Sequence, residues 1–66
     1  MEIKVNSESR DIMPGTTVAD LAAQLGIDGR GVAIAINDHV VTRSLWPATI
    51  IEAGTSVTVI RAAYGG

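Results

Sequence analysis

The chain has 66 residues, a net charge of −2, and 47% hydrophobic against 18% charged residues. A domain this small buries about 60% of the surface its unfolded chain exposes, which allows one core and argues against a deep catalytic cleft, while the hydrophobic share argues against disorder. With no cysteine, no run of lysine or arginine and no stretch approaching ~18 apolar residues, the composition excludes a disulfide framework and a thiol nucleophile, and predicts no nucleic-acid surface and no membrane span.

Residues 2–6 alternate, with Ile3 and Val5 on one side and Glu2 and Lys4 on the other, the pattern of a half-buried strand. Ser7-Glu8-Ser9 reads as a polar turn. A weaker strand from about Arg10 to Met13 stops at Pro14-Gly15, so the two strands form an antiparallel hairpin. A helix follows. Thr16 or Thr17 can cap it, and Thr17-x-x-Asp20 is a capping box with aspartate in place of glutamate. Val18, Leu21, Ala22 and Leu25 recur at i, i+3, i+4 and i+7 and form one apolar stripe. Gly26 stands where a left-handed C-cap belongs, with Ile27 placed for the accompanying contact.

Asp28-Gly29-Arg30-Gly31 is glycine-rich, but it lacks a phosphate-binding spacing and no helix follows it. Val32 to Ile36 is the strongest strand, with Val32, Ile34 and Ile36 on one face and Ala33 and Ala35 on the other. Asn37-Asp38 makes a turn, and His39 to Val41 a short return strand. Thr42 to Ile51 is an irregular connection in which Trp46 plugs the core. Ala53-Gly54 turns the chain into a last strand, Ser56 to Ala63, with Val57 and Val59 inward and Thr58, Ile60 and Ala62 outward. The order ββαββ predicts an α+β fold: one domain over residues 1–66, a four- to five-stranded sheet, one helix across one face, and a right-handed crossover. Ile3, Val5, Val18, Leu21, Leu25, Ile34, Ile36, Val57 and Val59 form its core.

The search for chemistry on this scaffold gives little. His39 is the only histidine and lacks companions for a metal. Ser44, His39 and Asp38 are a triad only on paper, because adjacent turn residues cannot set up nucleophile, base and orienter. The seven acidic residues are scattered singly, and Arg43 and Arg61 read as solvated charges. No catalytic residue and no metal site is predicted, and the chain is not expected to be an enzyme.

One feature points elsewhere. The chain stops at Gly65-Gly66. Two glycines have no Cβ and can thread a narrow cleft, and the terminal carboxylate is inert until another enzyme activates it, most simply as an acyl-adenylate. A frayed end without a role is the plain reading of the same residues.

Together the ββαββ order, the helix start Gly15-Thr-Thr17-Val-Ala-Asp-Leu21, the stretch Ala35-Ile-Asn37-Asp-His-Val-Val41-Thr-Arg43-Ser-Leu-Trp46 and the tail Ala63-Tyr-Gly65-Gly66 carry a resemblance. The chain resembles the ubiquitin-like β-grasp sulfur carriers, and among them the carriers of thiamin biosynthesis. Thr42 stands where that family commonly has proline, Ala53-Gly54-Thr55 replaces an acidic turn, and Tyr64 is bulkier than usual before the glycines. The resemblance implies that Gly66, presented by Gly65, is adenylated by a ThiF-like adenylyltransferase using ATP. Sulfur from cysteine, through a cysteine desulfurase, then makes a thiocarboxylate that feeds a ThiG-like thiazole synthase. No permanently bound cofactor and a cytoplasmic location go with this. The small subunit of molybdopterin synthase shares the logic but tends to be richer in aromatics, which are 3% here. A modifier conjugated to lysines and a plain binding module are the remaining readings.

A docking surface is expected on the open side of the sheet, at Thr58, Ile60, Ala62 and Tyr64, with Ala33 and Ala35 as a flat neighbour. A partner gripping it would hold Gly66 within reach, since four residues after Ala62 extend about 13–14 Å at most.

Overall fold

The structure is a computed structural model that describes residues 1–27 and 31–61. The glycine-rich loop at 28–30 and the tail at 62–66 lie outside the described residues.

Two turns of two residues each frame the sheet. Strands β1 (Glu2–Val5) and β2 (Glu8–Asp11) are joined by Asn6 and Ser7, with φ of 50° and 70°. Strands β3 (Val32–Ile36) and β4 (His39–Val41) are joined by Asn37 and Asp38, with φ of 48° and 69°. Positive φ at both central residues is the type I′ geometry, whose twist suits paired strands, and asparagine and aspartate enter it more readily than other residues with a Cβ.

The second hairpin agrees with the sequence reading, and the first corrects it. The turn falls at Asn6-Ser7 rather than Ser7-Glu8-Ser9, so Val5 pairs with Glu8 and the second strand runs two residues earlier than Arg10 to Met13. Ile12 continues the ladder just past β2: its N–H donates to the Met1 carbonyl at 2.8 Å and its carbonyl accepts from the Met1 amino group at 2.7 Å, while its side chain joins Ile3 in the buried core.

The helix α1 (Val18–Gln24) is specified at both ends. The Thr17 hydroxyl oxygen accepts from the Asp20 N–H, and the Asp20 carboxylate accepts from the Thr17 N–H, each at 3.1 Å. This closes the capping box and satisfies two orphan donors. At the far end Gly26 adopts φ +72°. Its N–H donates to the Ala23 carbonyl at 3.1 Å, and the Ile27 N–H donates to the Ala22 carbonyl at 2.9 Å. These are the two bonds of a Schellman cap, and Ile27 packs against the core as that motif requires.

The expected irregular connection contains a 3₁₀ helix, Arg43–Ala48. Trp46 is buried there, as expected of a core plug, and its indole N–H donates to the Val41 carbonyl at 3.0 Å. After it the chain runs beside the start of α1, with the Val18 N–H donating to the Thr49 carbonyl and the Ile51 N–H to the Thr16 carbonyl, both at 2.9 Å. Ile51 is buried and Ile50 exposed.

The last strand, β5 (Ser56–Arg61), enters the middle of the sheet. The strand order is β2-β1-β5-β3-β4, with β5 parallel to β1 and antiparallel to β3. The sheet is mixed and five-stranded, with one helix across one face.

Of the nine predicted core residues, Ile3, Val18, Leu21, Ile34 and Val57 are buried in one cluster, and Val5, Leu25, Ile36 and Val59 pack partly buried against it. Ile12, Ala22, Trp46 and Ile51 complete the cluster.

Candidate functional site

The register of the strands decides what the open face of the sheet presents. Ile60 pairs with Ala33, Thr58 with Ala35, and Ala35 with Val40, so these five side chains share the face opposite the core. On β1 and β2 the same face carries Glu2, Lys4, Ser9 and Asp11. The face is thus divided. Its half over β1 and β2 is charged, and its half over β5, β3 and β4 is uncharged and largely apolar.

Ile60 is 50% exposed and Val40 68% exposed, the outermost apolar groups of the uncharged half. Thr58 is half-buried. Ala35 is 5% exposed and Ala33 half-buried, so the pair forms the flat neighbour of Ile60 that the alternation predicts. A methyl group standing between the rows of Thr58 and Val40 is shorter than its neighbours, so Ala35 is the floor of the patch and the longer side chains are its rim.

Ile60 and Thr58 therefore lie where the alternation of the last strand put them. Ala62, Tyr64, Gly65 and Gly66 lie outside the described residues. Val40 was missed. The signal for it was present, because a two-residue turn at Asn37-Asp38 forces Ile36 opposite His39 and hence Val40 onto the face of Ala35.

Two depressions lie elsewhere among the described residues. One depression of about 230 Å³ lies between α1 and the 3₁₀ helix, lined by Ala19, Ala22, Ala23, Ile27, Arg43, Trp46 and Pro47. Another of about 220 Å³ lies by the first hairpin, lined by Val5, Asn6, Glu8, Ser9, Arg10 and Leu25. His39, Asp38 and Ser44 are all exposed. Among the described residues no group of three or more histidine or acidic side chains could hold a metal ion. Among the described residues no helix is long and apolar enough to cross a membrane.

A mixed five-stranded sheet gripping one helix, with the last strand in the centre, is consistent with the ubiquitin-like β-grasp class. The crystal structure of a thiamine biosynthesis protein (ThiS) from Geobacter metallireducens superposes with a TM-score of 0.86 over the whole of both chains at 23% identity. An NMR structure of a thiamine biosynthesis protein from the same organism gives 0.79, covering all of this chain and 88% of that one.

The sequence profile of the ThiS family matches residues 3–66, and the chain belongs to that family. It is 32% identical to the sulfur carrier protein ThiS of Escherichia coli over the full length of both chains. It is also 29% identical over its whole length to part of a thiazole synthase from Paramagnetospirillum magneticum, of which it spans 20%.

Proposed function

We propose that this chain is the sulfur carrier for thiazole formation in thiamin biosynthesis, acting as substrate and sulfur donor for other enzymes and not as an enzyme itself. The observation that carries the reading is the full-length match to a sulfur carrier protein in a chain of the same fold. The similarity to a thiazole synthase supports the thiamin route over the molybdenum-cofactor alternative, and it supports a thiazole synthase as the recipient of the sulfur.

The chemistry follows from the carboxylate. A ThiF-like adenylyltransferase joins the Gly66 carboxylate to the α-phosphate of ATP, releasing pyrophosphate and leaving AMP as a leaving group on the acyl carbon. Sulfur supplied through a cysteine desulfurase attacks that carbon and AMP departs. Where the donor is a persulfide, a thiol then reduces the acyl disulfide to the thiocarboxylate. The carrier contributes a tail without side chains at its tip and a surface that docks on its partners, with Ile60, Thr58 and Val40 on that surface and Ala62 and Tyr64 as further proposed partner contacts. ATP is consumed by the partner and the carrier holds no cofactor of its own. The cytoplasm, where the thiol chemistry stays reduced, is its place.

Intact mass tests the reading. Incubation with the adenylyltransferase, ATP and a sulfur source should raise the mass by the exchange of one oxygen for sulfur. Deleting Gly66, or adding one residue after it, should abolish the shift while the melting curve stays in place, because a terminal residue adds little to packing. A truncated chain that still takes up sulfur would overturn the assignment.

A further inference from the structure

The strand that leads to the tail is held by two turn residues, one from each hairpin. On one edge of β5 the Asn37 N–H donates to the Ser56 carbonyl at 2.9 Å, and the Asn37 side-chain carbonyl accepts from the Ser56 N–H at 3.0 Å. On the other edge the Asn6 N–H donates to the Val57 carbonyl at 2.9 Å, and the Asn6 side-chain carbonyl accepts from the Val59 N–H at 2.8 Å.

The second pair has a particular geometry. The parallel ladder between β1 and β5 runs through Lys4, paired with Ser56, and Val5, paired with Val57. A regular parallel ladder would next have the backbone carbonyl of residue 6 accept from the Val59 N–H. The chain turns away at Asn6, where φ is 50°, and the side-chain amide oxygen takes the place of that backbone carbonyl. One residue thus ends β1, opens the hairpin and extends the pairing of β5 by one more rung.

That rung is the last one on this edge. Among the described residues β1 pairs with nothing on β5 beyond Val57, so the Asn6 side chain is what holds the final stretch of β5 on the β1 side. From Arg61 the chain continues into the tail. We infer that Asn6 is a positioning residue for the activation of Gly66: by fixing Val59 it fixes the course of β5, the strand from which the chain runs on to Gly66. This rests on the carrier function proposed above, and it concerns a residue that touches neither the partner's nucleotide nor the reacting carboxylate.

The test compares Asn6→Gly with Asn6→Asp. Glycine keeps the left-handed backbone and loses the acceptor, while aspartate keeps both. In Asn6→Gly, exchange of the Val59 amide should accelerate about tenfold or more, with the helix amides of Leu21 and Leu25 unchanged. The kcat for adenylation of Gly66 should fall about tenfold while KM for the carrier stays within about twofold, because the docking face is intact and only the delivery of the tail is misaligned. Asn6→Asp should restore both. Three results overturn the inference: an unchanged Val59 amide, an unchanged kcat despite a deprotected Val59, or faster exchange in the helix as well, with Asn6→Asp no better than glycine. A wild-type chain that is never adenylated would instead bring down the carrier reading, an outcome separable from all three.

Discussion

Two neighbouring residues of β5, Val59 and Ile60, point to opposite sides of the same sheet and have opposite work. Val59, with Val57, packs against the cluster under the helix, and Ile60 is 50% exposed beside the exposed Val40. The helix side is specified by volume, since a methylene removed there leaves a cavity. The uncharged half of the open side is specified by what it lacks: charge, bulk over Ala35 and, among the described residues, any covering element. Core and proposed docking surface are thus separable in one strand, and a substitution should disturb folding or recognition but not both.

The largest expected effect is on the covered side. Leu21→Ala should cost about 2–5 kcal/mol, comparable with the ~3–5 kcal/mol that a small domain without staples has in total; denaturant titration would show much of the population unfolded. An unchanged midpoint would break the comparison at once.

Next comes Ile60→Asp, which should weaken binding to the adenylyltransferase about ten- to a hundredfold, or roughly 1.4–2.8 kcal/mol, and move the melting temperature little. Calorimetric titration beside thermal unfolding reads both. Unfolding by this variant would mean that the open side is structural after all.

Thr17→Ala removes one half of the capping box and should cost about 1 kcal/mol of stability, visible in denaturant unfolding, with partner affinity unchanged. Smallest of the four, Val40→Asp should weaken partner binding severalfold, about 0.5–1 kcal/mol. If Val40→Asp equals Ile60→Asp, the centre of the surface lies on β4 instead of β5.

The sequence was most legible where local chemistry and the global fold agree. The stripe of Val18, Leu21, Ala22 and Leu25 was readable because its period, its Thr17 cap and its Gly26 stop all describe one helix. The face of Ile60 was readable because a strand alternates strictly. The first turn was misplaced because Asn6-Ser7 lacks the glycine that usually marks a two-residue hairpin, while Ser7-Glu8-Ser9 offered a more polar alternative. Ile51 could not be told from Ile50 by any period, since the stretch after the 3₁₀ helix is set by its bonds to Thr16 and Val18. The bridging role of Asn6 depends on a contact across 53 positions and has no local signature.

The central place of β5 also bears on how the molecule comes to exist. The first and last strands are neighbours in space and far apart in the chain, so the pairing that completes the sheet closes the longest loop available. Non-local pairing of this kind slows folding, because its entropy must be spent before its contacts return anything. Until that step the two hairpins are separate halves with bare edges. The strand that joins them is also the one from which the chain runs on to Gly66, so under the proposed carrier function the event that finishes the domain would also complete the platform for an activating enzyme. A half-made chain would offer no such platform, and completion of the fold would act as the checkpoint for entry into the reaction cycle.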